Sequence, residues 1–368
     1  MAKEQKSEFI PDYATPPGET LKDVLEERDM TQTVFAKRVG LSLKVINEIV
    51  HGKAPITPDT ANRFERVLGI PANFWNKREM RYREILARIK EEKFLSKCVE
   101  WVEKFNIKKM IEYRYIEPET DKKKLAKRLL NFFGVASPDE WSFILDKVEF
   151  ARRSAQTKCD MYSLSAWLTR GHILASQIEC EPYEKDVLRN LIPEMRKLTR
   201  EDPDYFVGEL QRLGAEAGVA IVFVPELPNM ATFGATYWLS PTKPVVQLCL
   251  FRKSNDLLWF TFFHEVAHIL KEHTKSKTVI HGEPGKHDDS AKETMADNFA
   301  AEVLIPQKDY KVFVKDERFT RARVIEFAEK LNIAPGIVVG RLQHNKHLPW
   351  NSSLSKLKEK YDWVTAVN

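Results

Sequence analysis

Two histidines four residues apart, His264 and His268, bracket Glu265 in the stretch Trp259-Phe260-Thr261-Phe262-Phe263-His264-Glu265-Val266-Ala267-His268-Ile269-Leu270. On a helix, positions four apart share a face, so both imidazoles converge on one point. Glu265, next to the first of them, can then reach a water held there. Imidazoles bind metal and a carboxylate accepts protons, so the chemistry on offer is metal-assisted hydrolysis. Phe260, Phe262, Phe263, Ile269 and Leu270 on either side predict a buried helix, in which three polar side chains are costly unless something compensates them. A bound metal provides that compensation. A solvent-facing helix with a chance His, Glu and His is the alternative, and the apolar flanks argue against it.

A catalytic zinc takes three protein ligands and keeps the fourth position for water, so a third His, Asp or Glu is required. The metzincin pattern needs Gly and His where this chain has Lys271 and Thr274, and is excluded. Downstream, Glu293-Thr294-Met295-Ala296-Asp297-Asn298-Phe299-Ala300-Ala301-Glu302-Val303-Leu304-Ile305-Pro306 has helical spacing and stops at a proline. Glu293 and Asp297 share a face of that helix. This suits one carboxylate as ligand and the other as the acceptor that orients a ligating imidazole through its second ring nitrogen. Without the histidines, the same segment would read as an amphipathic helix with an acid favoured by the helix dipole.

His264-Glu265-x-x-His268 followed by Glu293-x-x-Ala296-Asp297-x-Phe299-Ala300-Ala301-x-x-Leu304-x-Pro306 resembles the ImmA/IrrE family of metallo-endopeptidases, which share the two-helix zinc site of the gluzincins. The resemblance implies Zn2+ on His264, His268 and Glu293, Glu265 as catalytic base and Asp297 behind a ligand. Residues 218–225 and 244–250 read as β-branched strands bounded by Gly and Pro, similar to the small sheet ahead of the zinc helix in that family. In such a site the metal lowers the pKa of a water toward about 7, and Glu265 takes the proton and passes it to the leaving amine. His281, His287, Tyr237 and Arg170 are candidates for stabilising the oxyanion, and spacing does not choose among them.

Residues 31–52 describe a different module: a helix, a turn marked by Gly40 and a second helix with Ser42 as N-cap. Val34, Phe35, Val39, Leu41, Ile46 and Ile49 supply the inner face, leaving Leu43, Lys44, Asn47 and Glu48 outward. In a major groove Asn47 could read adenine and Leu43 a thymine methyl, with Gln32 near phosphate. Residues 16–80 resemble the Cro/CI-type (XRE) domain, particularly the HigA antitoxin branch, which implies operator DNA as partner and a homodimer. Between Glu19 and Gly69 eight basic side chains meet eight acidic ones, so attraction to phosphate must come from local segregation of Lys37, Arg38, Lys44 and Lys53.

The 368 residues, 43% hydrophobic and 30% charged, support two or three domains. Without a hydrophobic run that approaches a membrane span or signal peptide, a cytoplasmic location is expected. Four cysteines without a CxxC pair argue against disulfides and thiolate zinc sites. The basic stretch Lys77–Arg128, with Trp101, Tyr113, Tyr115, Phe132 and Phe133, reads as helical, its charge as a solvated face. Phe150 to Ser154 and Trp167 to Gly171 resemble the segment that precedes the protease sheet in the ImmA/IrrE-type chains. Residues 327–342 echo the helix-turn-helix pattern, but Pro335 and Gly336 in the second helix's first turn favour a structural role.

The expectation is an α+β chain: an all-α helix-turn-helix domain over 1–80, a helical connector over 81–160, a gluzincin-like domain with a small mixed sheet over 161–350 and a tail over 351–368. Its expected function is that of a DNA-binding transcriptional regulator with a zinc endopeptidase that cuts a specific protein, such as a repressor or antitoxin. The competing class is a non-enzymatic antitoxin or autorepressor that uses the zinc domain as sensor or docking platform.

Overall fold

The structure, a computed structural model, describes residues 13–141, 160–230, 232–271, 279–281 and 291–363. The chain divides into two compact units, Met1–Val99 and Glu100–Asn368. That division falls inside the stretch 81–160 that the sequence sets apart as a connector.

The first unit holds α1 (Pro17–Glu27), α2 (Gln32–Val39), α3 (Leu43–Val50), α4 (Pro58–Leu68) and the start of α5 (Ala72–Val102). Each helix start is written locally: the side chains of Thr31, Ser42 and Thr57 accept from the backbone N–H of Val34, Val45 and Thr60. Gly40 and Gly69 end α2 and α4 in the left-handed conformation that a residue without Cβ adopts at no steric cost. Leu21, Phe35, Ile46, Ile49, Phe64 and Trp75 form the core. Val34, expected inside, is 43% exposed. Phe35, Ala36 and Val39 take the inward face of α2, and a helix turns about 100° per residue, which carries Val34 to the flank.

In the second unit α6 (Ile107–Glu112) and α7 (Lys122–Phe133) precede α8 (Met161–Gln177), α9 (Lys185–Lys197) and α10 (Pro203–Glu216). The connector aromatics pack on one another: Phe105 lies 5.1 Å from Trp101, 5.2 Å from Phe133 and 5.1 Å from Tyr162, between ring centroids. These rings serve the core, while Lys122, Lys123 and Lys124 stay exposed, as a solvated face should.

A four-stranded mixed sheet follows, of β1 (Ala220–Phe223), β2 (Gly234–Ser240), β3 (Lys243–Leu248) and β4 (Val279–His281), in the order β1-β3-β2-β4. β1 runs parallel to β3, and β2 is antiparallel to both its neighbours. Side chains alternate between faces along a strand. Thr236 and Val246 therefore meet α11 (Asn255–Leu270), whereas Tyr237 and Gln247 face α8. α12 (Ala291–Leu304), α13 (Gln307–Val314), α14 (Arg321–Leu331) and α15 (Pro335–His344) complete the unit. α15, the second helix of the C-terminal echo, buries Ile337, Val338, Val339 and Leu342, so it is a core helix with no reading face to offer a groove.

The stretch 351–368, set apart in sequence as a tail, returns to this unit through residue 363. The N–H groups of Asn255 and Tyr361 donate to the carbonyls of Glu359 and Lys253 at 3.1 and 3.0 Å. Lys358 Nζ meets the buried Asp256 carboxylate at 2.6 Å. Among the described residues no helix is long and apolar enough to cross a membrane.

In the first unit α1 crosses α3 so closely that a Cβ on Gly18 would lie 2.2 Å from the Ile49 carbonyl oxygen. Backbone cannot yield as a side chain does, so Gly18→Ala should destabilise this unit by about 1–3 kcal/mol. A lower urea midpoint in chemical denaturation is the check.

Candidate metal centre

α11 buries almost its whole circumference, and His264, Glu265 and His268 are only 3%, 0% and 1% exposed. Such an apolar helix is stable only as core, so its three polar groups must find their counterparts inside. α12 lies alongside and brings Glu293 and Asp297, one turn apart, to the same place.

Ligand-type atoms of His264, His268 and Glu293 all lie within 4.8 Å of one another. The two imidazole Nε2 atoms are 3.1 Å apart. Glu293 Oε2 is 3.3 Å from Nε2 of His264 and 3.8 Å from that of His268. A tetrahedral ion with bonds of about 2.0–2.1 Å holds its donors roughly 3.3 Å apart. Two neutral-capable nitrogens and one carboxylate oxygen at this spacing fit a divalent metal. His268, in the last turn of α11, also suits a bound cation, because the macrodipole is negative at that end of the helix.

The ring of His264 is aimed from behind. Its Nδ1 lies 2.8 Å from Asp297 Oδ1, so Nδ1–H donates there and Nε2 faces inward. Burial disfavours the imidazolium, but the hydrogen bonds to Asp297 and Glu293 and the charge of Glu265 outweigh it and hold His264 up at about 9. Glu265 is positioned by the sheet. The Thr236 hydroxyl donates to Glu265 Oε2 at 2.5 Å, and a Cβ on Gly234 would stand 2.6 Å from Glu265 Oε1. Thr236 and Gly234 escaped the sequence reading. The β-branched and aromatic run Thr236-Tyr237-Trp238 after Gly234 was the available signal for β2.

The remaining candidates fall in different places. Tyr237 points to the opposite face of the sheet, where its hydroxyl donates to Gln247 Oε1 at 3.0 Å and burial pushes its pKa far up. Arg170 sits on α8, which covers that face, with its guanidinium 6.0 Å above the Tyr115 ring. Strand alternation thus separates both from Glu265. The backbone of His281, in β4, pairs with Gly234. His287 and the segment 150–154 lie outside the described residues.

In the first unit Leu43, Lys44 and Asn47 are exposed together on α3, while Gln32 is half-buried at the first position of α2. Ser42 is exposed, and its hydroxyl oxygen is engaged as the N-cap of α3 at 3.3 Å from Val45 N. Lys37, Arg38, Lys44 and Lys53 are exposed, and the acids Asp23, Glu26 and Glu27 are exposed on α1.

A helix-turn-helix in one unit and a cluster of two buried histidines with a half-buried glutamate in the other mark a DNA-binding regulator with a metallopeptidase-like domain. Residues 21–75 match the helix-turn-helix family, and residues 235–343 match the IrrE N-terminal-like domain. The chain thus joins a helix-turn-helix domain of XRE type to an ImmA/IrrE-type domain. Among solved structures it is similar to a protein described as an antidote of a plasmid maintenance system from Nostoc punctiforme, at 28% identity and TM-score 0.21, over 22% of this chain and 88% of that one. It is also similar to an addiction module antidote protein of a HigA family from Coxiella burnetii, at 27% identity and TM-score 0.21, over 23% of this chain and 92% of that one. No curated protein matches the chain.

Two outcomes follow for the cluster. Asp297→Asn, which removes the charge behind His264, should weaken metal binding about 10- to 100-fold, measured by titration against a competing chelator. Because His264 titrates near 9 in the metal-free protein, a metal must displace its proton below that pH. Apparent affinity should therefore rise by about tenfold per pH unit up to about pH 9 and level off above it.

Proposed function

We propose that this chain is a transcriptional regulator that binds operator DNA through its N-terminal module and carries a zinc-dependent endopeptidase that hydrolyses a bond in a specific regulatory protein, such as a repressor or antitoxin. The observation that carries this reading is the convergence of His264, His268 and Glu293 donor atoms beside a fixed Glu265. When bound, zinc would supply a Lewis acid and lower the pKa of a water.

The residues of the chain would divide the remaining work. His264, His268 and Glu293 hold the ion, and Asp297 keeps the His264 ring in the tautomer that presents Nε2. Glu265 accepts a proton from the attacking water and delivers it to the leaving amine nitrogen. Thr236 leaves Glu265 little rotational freedom, so the carboxylate is placed before substrate arrives. On α3, Lys44 would contact phosphate and Asn47 and Leu43 base edges, with Gln32 and Ser42 at helix starts near the backbone. The module would act as a homodimer in the cytoplasm.

Glu265→Gln keeps shape and removes the base, so metal uptake should stay at wild-type level while cleavage of candidate repressors or antitoxins falls by about 10²–10⁴-fold. Equal cleavage by both proteins would defeat the peptidase reading. Lys44→Ala with Asn47→Ala should abolish operator-specific retention in a mobility-shift assay without changing metal content. Unchanged DNA affinity would leave the first unit a pairing module only.

A further inference from the structure

A cavity of about 520 Å³ lies between α11, α12 and α15, with Asp297 in its wall. That volume lies within the range of small-molecule sites. Most of its surface is apolar, with Phe233, Leu257, Phe260, Ile337 and Trp350 contributing walls. Three of these are aromatic, which suits a flat ring.

The charges in the wall are unequally matched. Asp256 is held by Lys358 Nζ at 2.6 Å, and Asp297 by His264 Nδ1 at 2.8 Å. Arg341 differs. Its Nη2 donates to the neutral Gln307 Oε1 at 3.0 Å, and its guanidinium lies 4.9 Å from the Tyr310 ring centre. Burial lowers its pKa, and Tyr310 and Glu302 offset that only in part. Arg252 and His344 add two further basic residues to the wall. A half-desolvated guanidinium whose direct partners, Gln307 and Tyr310, are neutral and which feels only the charge of Glu302 gains from a further anion, and its planar fork fits a carboxylate with two parallel hydrogen bonds.

We propose that this cavity is a binding site for a small arylalkyl carboxylic acid, its ring among Phe233, Phe260 and Trp350 and its carboxylate on Arg341. The site is separate from the metal ligands, although the acid would lie against the wall that Asp297 shares with the metal centre. Nothing in this assignment requires peptide hydrolysis, so it stands or falls independently of the proposed activity.

The test is isothermal titration of the full chain with phenylpropionate, phenylbutyrate and phenylhexanoate, with phenylhexanol as the uncharged match. At least one acid should bind saturably at one per chain, at least about tenfold more tightly than the alcohol, because the carboxylate contact is charge-assisted. Arg341→Gln should weaken the acid by about tenfold and leave the alcohol unchanged, while Arg341→Lys, which keeps the charge but loses the planar fork, should retain only part of the acid's affinity and fall between wild type and Arg341→Gln. Ala301→Phe, which places a ring in the cavity, should remove both. Metal content, read separately on every variant, reports that the second unit remains folded. The proposal is overturned if no acid saturates, if acid and alcohol bind alike, or if Ala301→Phe binds the acid as the wild type does. If Ala301→Phe is insoluble, the comparison of Arg341→Gln with Arg341→Lys decides alone, and equal acid affinities in the two overturn it.

Discussion

Burial of three ionisable side chains in one turn and a half of an apolar helix is the constraint on which the second unit is built. Outside water such groups are tolerated only with counterparts of matching chemistry at contact distance. α12 brings Glu293 and Asp297 to the histidines, and β2 brings Thr236 to Glu265. Each neighbour is placed by packing that is itself apolar: Phe262, Phe263, Val266 and Ile269 of α11 lock into the same core as Val246, Leu248, Ala300 and Leu304. The polar cluster therefore depends on the hydrophobic core for its geometry, and the core accepts the cluster because its polar atoms are answered.

The sheet divides labour between its faces. Toward α11, Gly234 and Thr236 give Glu265 room on one side and a donor on the other. Toward α8, Gln247 links the Tyr237 hydroxyl to the Trp167 carbonyl, and at Gly171 a Cβ would fall 1.7 Å from Gln247 Oε1. That second network is structural: it fixes the helix that backs the sheet and has no access to Glu265. A period of two along β2 is enough to assign neighbouring residues to unrelated tasks.

The N-terminal unit is organised differently, since nearly all its instructions are local. Caps at Thr31, Ser42 and Thr57, left-handed glycines at the helix ends and a short apolar repeat specify four helices with little long-range information. Its exposed Leu43, Lys44 and Asn47 then need no further machinery to present them, because the helix that carries them is held by Ile46 and Ile49 on its other side.

What the sequence by itself determined is whatever depends on residues close together in the chain. The spacing of His264 with His268 and of Glu293 with Asp297, Ser42 as the N-cap of α3 and the strands around Ile221 and Val246 follow from helical and strand periods and local capping, and were legible for that reason. Tertiary structure decided what depends on the meeting of distant segments: Thr236 and Gly234 against Glu265, Tyr237 on the sheet face opposite Glu265, the connector aromatics turned into core, and residues 352–363 tied back onto the start of α11. Periodicity records which face a side chain takes. It carries no record of which other segment that face will meet, because that is settled by the packing of the whole core.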